Sequence, residues 1–106
     1  MGYMEIMIIK LILENGEADG KKYKIETFPI SLGRASGNDI HIPDDPMVSR
    51  IHCTIFTDAN DEKSLFIADL NSTNGTYLND EILHGPTILS SSNIITLGST
   101  RIKISY

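Results

Sequence analysis

Much that usually betrays a function is missing from this sequence. It has no tryptophan and a single cysteine, Cys53, so no disulfide can form within the chain. One unpaired thiol is the usage of a reducing compartment, and the expectation is a cytoplasmic protein. No apolar run approaches the roughly 20 residues that a membrane-crossing helix needs. The longest, Met4–Leu13, is interrupted by Glu5 and Lys10. No signal-peptide pattern is visible, and Ile6 stands where a myristoylation motif wants Ser or Thr. Basic surplus is also absent, with 9 Lys and Arg against 14 Asp and Glu and a net charge of −5. General nucleic-acid binding, which depends on displacing counterions with cations, is therefore not expected, and neither is a membrane partner. There is no Gly-x-Ser-x-Gly elbow, P-loop or paired-glycine nucleotide fingerprint. His41, His52, His84 and Cys53 fall at no usual ligand spacing, so neither metal nor cofactor is expected.

What is present is a strand-former's composition. A hydrophobic content of 41% and a charged content of 22% describe a soluble globular chain. At 106 residues it is long enough to bury a core without staples, and residues 1–106 are expected to form one domain. No stretch sustains a helical period for three turns. Short apolar or alternating runs are instead punctuated by Gly, Pro, Asn and Asp. Ile6–Leu13 is one such run, followed by a loop in which Asn15-Gly16 or Asp19-Gly20 could turn a hairpin. Lys22–Phe28 alternates, with Tyr23, Ile25 and Thr27 on one face, until Pro29 breaks it. Ile30–Arg34 and Asp39–Ile42 are brief strands, and Asp44-Asp45-Pro46 is expected to be a solvated turn. Ser49 is expected to open a strand with Ile51, Cys53 and Ile55 on one side and Arg50, His52, Thr54 and Phe56 on the other. Ser64–Asp69 returns as a strand, and short strands follow around Thr76–Leu78, Ile82-Leu83 and Thr87–Leu89. Gly98-Ser99 joins a last pair. About ten short strands at this spacing predict an all-β sandwich or barrel.

Three polar segments could carry chemistry. Ser49 and His52, with Asp69, have the residue types of a nucleophile, base and orienting acid. A spacing of three along an extended strand sends two side chains to opposite faces, however, so the dyad requires a break in the strand. Anion binding is better supported. Arg34 follows Gly33 at a strand end, and Gly33 is expected to adopt a backbone conformation that other residues resist. Ser49-Arg50 offers a hydroxyl and a second guanidinium, and Thr73-Asn74 offers further donors beyond a strand. A sandwich can bring three such loops to one edge, and the guanidinium fork matches phosphate oxygens.

Gly33-Arg34 with Asp39-Ile40-x-Ile42, then Ser49-Arg50-Ile51-His52, then Asp69-Leu70-x-Ser72-Thr73-Asn74-Gly75-Thr76, together resemble a forkhead-associated (FHA) domain over about Leu32 to Gly98. The resemblance implies a β-sandwich of about eleven strands whose loops at one edge bind phosphothreonine peptides, without catalysis. It implies phosphate contacts from Arg34, Ser49 and Thr73, with Arg50 adding charge at a variable position. It implies that Asn74 bonds the peptide backbone and that Gly33, His52 and Gly75 are architectural, His52 bracing the loops from beneath. Met47, two residues before Ser49, stands where relatives often select the peptide, and suggests an apolar preference C-terminal to the phosphothreonine. The implied partner is a phosphothreonine protein, a Ser/Thr kinase or its substrate. Two positions depart from the pattern: Ser92-Asn93 replaces a common Gly-Asp, and Asn79-Asp80 replaces a common Asn-Gly. The alternative function is a phosphate-independent assembly module that uses another face of the sandwich.

Overall fold

A computed structural model describes residues 9–13 and 20–106. These residues form eleven strands: β1 (Ile9–Leu13), β2 (Lys22–Ile25), β3 (Ile30–Gly33), β4 (Ile40–His41), β5 (Cys53–Asp58), β6 (Asp61–Asp69), β7 (Thr76–Leu78), β8 (Glu81–Ile82), β9 (Thr87–Leu89), β10 (Ile94–Leu97) and β11 (Thr100–Ser105). They pair into two sheets, one of six strands in the order β2-β1-β11-β10-β7-β8 and one of five in the order β4-β3-β5-β6-β9. Every described pairing is antiparallel except β3 with β4. The all-β sandwich expected from the strand spacing is therefore the observed architecture. The Asn15-Gly16 turn and the start of the first apolar run lie outside the described residues.

The two-residue period of the sequence is what builds the core. In β11, Thr100, Ile102 and Ile104 are buried while Arg101 and Lys103 are exposed, because successive strand residues face opposite sides. Leu32, Ile40, Ile55, Ile67, Ile95 and Leu97 complete the contact between the sheets, each with no exposed surface. Cys53 lies among them, fully buried. Burial, and then the nearby Asp69 charge, push its thiol far above the ordinary value. Because the thiolate is the reactive form, Cys53 is expected to resist alkylation in the native protein. A thiol reagent should label it only at the rate at which the protein opens, and rapid native-state labelling would contradict the packing.

Three local expectations need correction. The strand from Lys22 stops at Ile25, and Thr27 is exposed rather than inward-facing. The strand expected from Ser49 begins only at Cys53. Ile51 is 58% exposed and His52 is fully buried, the reverse of the simple alternation. The cause is that Ser49 and Arg50 spend their carbonyls on a neighbouring loop: Arg34 N–H donates to Ser49 O at 3.0 Å and Ala35 N–H to Arg50 O at 3.1 Å. The ladder with β6 resumes at Cys53, opposite Asp69. Third, Asp45 is not solvated. It is 8% exposed and accepts hydrogen bonds from Met47 N–H (3.0 Å), Ser99 N–H (2.8 Å) and the Thr100 hydroxyl (2.8 Å).

Both departures from the family pattern are accommodated as turns. Asn79 and Asp80 have φ of 48° and 68°, the two consecutive positive values of the hairpin turn that suits twisted strands. Ser92 takes φ of 75°, at the position where the resemblance implies glycine, with its N–H on the Ile104 carbonyl at 2.9 Å.

Candidate functional site

The loops that follow β3, β4 and β6 are sewn together at one edge of the sandwich. Gly33 makes the first close approach possible. Its φ lies outside the left-handed region, so conformational freedom is not the reason for glycine, contrary to expectation. Space is the reason: a Cβ here would sit 2.3 Å from the Arg50 carbonyl oxygen and 2.8 Å from Asn38 Nδ2. Asn38 is itself buried and donates from Nδ2 to the Ala35 carbonyl (2.8 Å) and the Arg50 carbonyl (2.7 Å). Nothing in the sequence singled out Asn38 beyond a loop position.

Arg34 is exposed at the mouth, with its Nε donating to the Val48 carbonyl at 3.0 Å. That single bond aims the guanidinium and leaves its remaining four N–H groups without a hydrogen bond to the described residues. Arg50 is also exposed. Neither guanidinium pairs with a carboxylate of the described residues, whereas Lys24 does, with Glu26. The Ser49 hydroxyl accepts the Thr73 N–H at 3.0 Å, which brings the second and third loops together. Thr73 itself is exposed. Asn74 Nδ2 donates to the Met47 carbonyl at 2.9 Å, a second stitch between the same loops, and Met47 is 48% exposed.

His52 lies under this arrangement. Its Nδ1 faces the Ser49 N–H at 3.0 Å and its Nε2 the Gly75 carbonyl at 2.8 Å. A backbone N–H can only donate and a carbonyl can only accept, so the ring proton must be on Nε2. Both ring nitrogens are thus engaged by backbone, and neither is left to act as a base on the Ser49 hydroxyl. The third member of the supposed triad is occupied elsewhere. Asp69 accepts from the Ser72 hydroxyl (2.5 Å), the Ser72 N–H (3.0 Å) and the Thr76 hydroxyl (2.7 Å). The Ser72 hydroxyl in turn accepts the Gly75 N–H at 2.9 Å. Gly75, with φ of +84°, and Asn71, with φ of 58°, make the sharp turns of this loop.

Burial alone would raise the Asp69 carboxyl. Hydrogen bonds from the Ser72 and Thr76 hydroxyls and the Ser72 N–H outweigh it and hold the group below its ordinary value. A carboxylate whose pKa is depressed by folding stabilises the fold above its unfolded value, and the contribution is lost as pH falls through the folded one. The loop should therefore be fully held at neutral pH and loosen below about pH 4. An acid titration followed through the Ser72 and Gly75 amide signals checks this; signals that stay fixed through that range would contradict it.

The same edge connects to the opposite sheet through Asp45, whose carboxylate ties the loop carrying Met47 to the turn between β10 and β11. At that turn Gly98 has φ of +56°, and a Cβ there would lie 2.8 Å from the Met47 Cβ. Asp45 was missed as an anchor because a pair of acids beside Pro46 has the composition of an exposed turn. An Asx turn onto Met47 N–H was the available signal.

The family model for the FHA domain matches residues 30–98. The chain belongs to the FHA family. A solved structure concerned with phosphothreonine-dependent FHA domain interactions is 30% identical, covers 94% of this chain and 97% of its own, and superposes with a TM-score of 0.81. The FHA domain of an Arabidopsis thaliana hypothetical protein is 28% identical, covering 100% of this FHA chain and 93% of its own, with a TM-score of 0.84. EmbR of Mycobacterium tuberculosis, solved in complex with a low-affinity phosphopeptide, is 26% identical. It covers 92% of this chain and 24% of its own, with a TM-score of 0.79. No curated protein matches the chain by sequence. Among the described residues no helix is long and apolar enough to cross a membrane.

Proposed function

We propose that this FHA domain is a non-catalytic reader of phosphothreonine in a partner protein, folded as one domain over residues 1–106. The observation that carries the proposal is the pair of guanidiniums, Arg34 and Arg50, exposed without carboxylate partners beside the Ser49 and Thr73 loops, which are bonded to each other. A phosphate ester carries about −1.5 to −2 charges at neutral pH, with a second pKa near 6. Arg34 and Arg50 complement that charge, and the Ser49 and Thr73 hydroxyls meet the remaining oxygens. Asn74 clasps the peptide backbone, for which its amide must exchange the Met47 carbonyl for the ligand or use its free oxygen. Met47 offers an apolar contact C-terminal to the phosphothreonine. The related structures that concern phosphothreonine-dependent interactions and a bound phosphopeptide support this function. The partner class is a Ser/Thr kinase or its substrate.

A degenerate phosphothreonine peptide library, screened beside matched phosphoserine and unphosphorylated peptides, tests the proposal. Retention only of phosphothreonine peptides, enriched in apolar residues C-terminal to the phosphate, is expected. Affinity should weaken as pH falls below about 6, where the phosphate loses its second charge. Equal retention of phosphorylated and unphosphorylated peptides would overturn the proposal in favour of a phosphate-independent assembly module.

A further inference from the structure

His41, the half-buried last residue of β4, has no part in the phosphate contacts or in the brace that His52 forms under the loops. Its ring nonetheless reaches the first of those loops. His41 Nε2 lies 3.1 Å from the Arg34 carbonyl oxygen. A carbonyl can only accept, so Nε2 carries a proton and donates it, in the neutral ring and the charged ring alike. The way β4 ends explains why a side chain is used. β3 and β4 run parallel, with Gly33 beside His41, and Ile42 N–H still donates to the Gly33 carbonyl at 2.9 Å. The next residue, Pro43, has no N–H to give. The pairing cannot be carried on through that residue, and the His41 side chain supplies a donor instead.

What this bond holds is a rigid unit. The peptide group between Arg34 and Ala35 is planar and trans, so its carbonyl and its N–H point in opposite directions. The carbonyl is held by His41 on the β4 side, and the N–H donates to the Arg50 carbonyl at 3.1 Å on the other. If the His41 end is released, the plane can rock about the Ala35–Arg50 bond. That rotation passes to the Arg34 Cα, from which the guanidinium is aimed toward the Val48 carbonyl. Because the same bond holds Arg50, the backbone of the second guanidinium moves with it. Asn38 cannot take over, since its Nδ2 already donates to the Ala35 and Arg50 carbonyls and an amide nitrogen has two hydrogens.

We propose that His41 is a positioning residue of the phosphate site, fixing the direction of the Arg34 guanidinium through the Arg34 carbonyl without touching the ligand. The inference rests on the reading of this edge as a phosphothreonine site. Its content is a requirement for a hydrogen-bond donor at position 41, rather than for a charge or an aromatic ring.

Three variants of the full chain test it. His41→Leu keeps side-chain bulk and removes the donor, His41→Ala removes both, and His41→Gln keeps an N–H donor without ring or charge. The probe is the phosphothreonine peptide most enriched in the library screen, titrated by calorimetry with melting curves alongside. The Leu and Ala variants should bind roughly threefold to tenfold more weakly, the range for loss of one hydrogen bond. His41→Gln should bind within about twofold of the unsubstituted chain. In the ligand-free 15N-labelled proteins, the Arg34 Nε–H signal should move in the Leu and Ala variants and return in His41→Gln. Equal affinity in all of these proteins would overturn the inference and leave the phosphothreonine reading standing. So would a Gln variant as weak as the Leu one, or weakened binding with the Arg34 Nε–H signal unmoved. If the unsubstituted chain retained no phosphopeptide, the reading of the site would fall and this inference with it.

Discussion

Arg34→Ala should weaken binding of a phosphothreonine peptide by about tenfold to a hundredfold or more. Hydrogen bonds to charged groups contribute roughly 1.5–3 kcal/mol each, and about 1.4 kcal/mol corresponds to tenfold in affinity. Arg34 has its Nε fixed on the Val48 carbonyl, so its outer N–H groups are oriented before any ligand arrives and little side-chain entropy remains to be lost on binding. The folded state should barely notice the change, because the residue is exposed and its side chain forms one hydrogen bond, while the backbone bonds remain. Arg34→Lys should also bind weakly, since an ammonium cannot reproduce both the Val48 contact and a fork toward the phosphate. Calorimetric titration of one peptide into the three proteins, with melting curves recorded alongside, is the measurement. Unchanged affinity in Arg34→Ala would remove Arg34 from the site.

Gly33→Ala should damage both stability and binding. The added methyl would meet the Arg50 carbonyl oxygen at 2.3 Å and its carbon at 2.9 Å. Those atoms are backbone and cannot swing aside as a side-chain tip would. Overpacking typically costs about 1–3 kcal/mol, and here the movement also disturbs the Arg50 carbonyl's bonds from Ala35 N–H and Asn38 Nδ2. A total of about 3 kcal/mol or more is expected, enough to lower Tm by more than about 10 °C in a chain of this size. Whatever fraction remains folded should bind phosphopeptide poorly, because Arg34 and Arg50 ride on the displaced backbone. A variant that melts like the unsubstituted protein would show that the two loops can separate at no cost.

The strands were the most legible part of the sequence. β11 could be read residue by residue, because Ile102 and Ile104 alternate with Arg101 and Lys103 and nothing else competes for that backbone. The Asp69–Thr76 segment was legible as a polar loop between strands, and its order with Gly33-Arg34 and Ser49-Arg50 was enough to suggest the family. Reading failed where loops bond to loops. Ile51 looked inward by alternation, yet the carbonyls of Ser49 and Arg50 are taken by Arg34 and Ala35, distant in the chain, and the strand starts late. Asp45 looked exposed because its three donors come partly from the distant β10–β11 turn. Local pattern carries no information about such partners. Gly33 was singled out correctly as a position needing glycine, but for a conformational reason where the structure supplies a steric one.

The bond from Thr73 N–H to the Ser49 hydroxyl oxygen also fixes the polarity of that hydroxyl. A serine oxygen can give one hydrogen and receive two. Here one receiving position is already filled from within the protein, so the oxygen is biased toward giving its own proton outward. Any ligand that comes to this edge is then met by a hydrogen-bond giver at Ser49 and by two cations, and an incoming ammonium or amide N–H finds only one remaining lone pair on that oxygen. Selectivity for groups rich in oxygen lone pairs is thereby set before binding, by a main-chain N–H that need not touch the ligand.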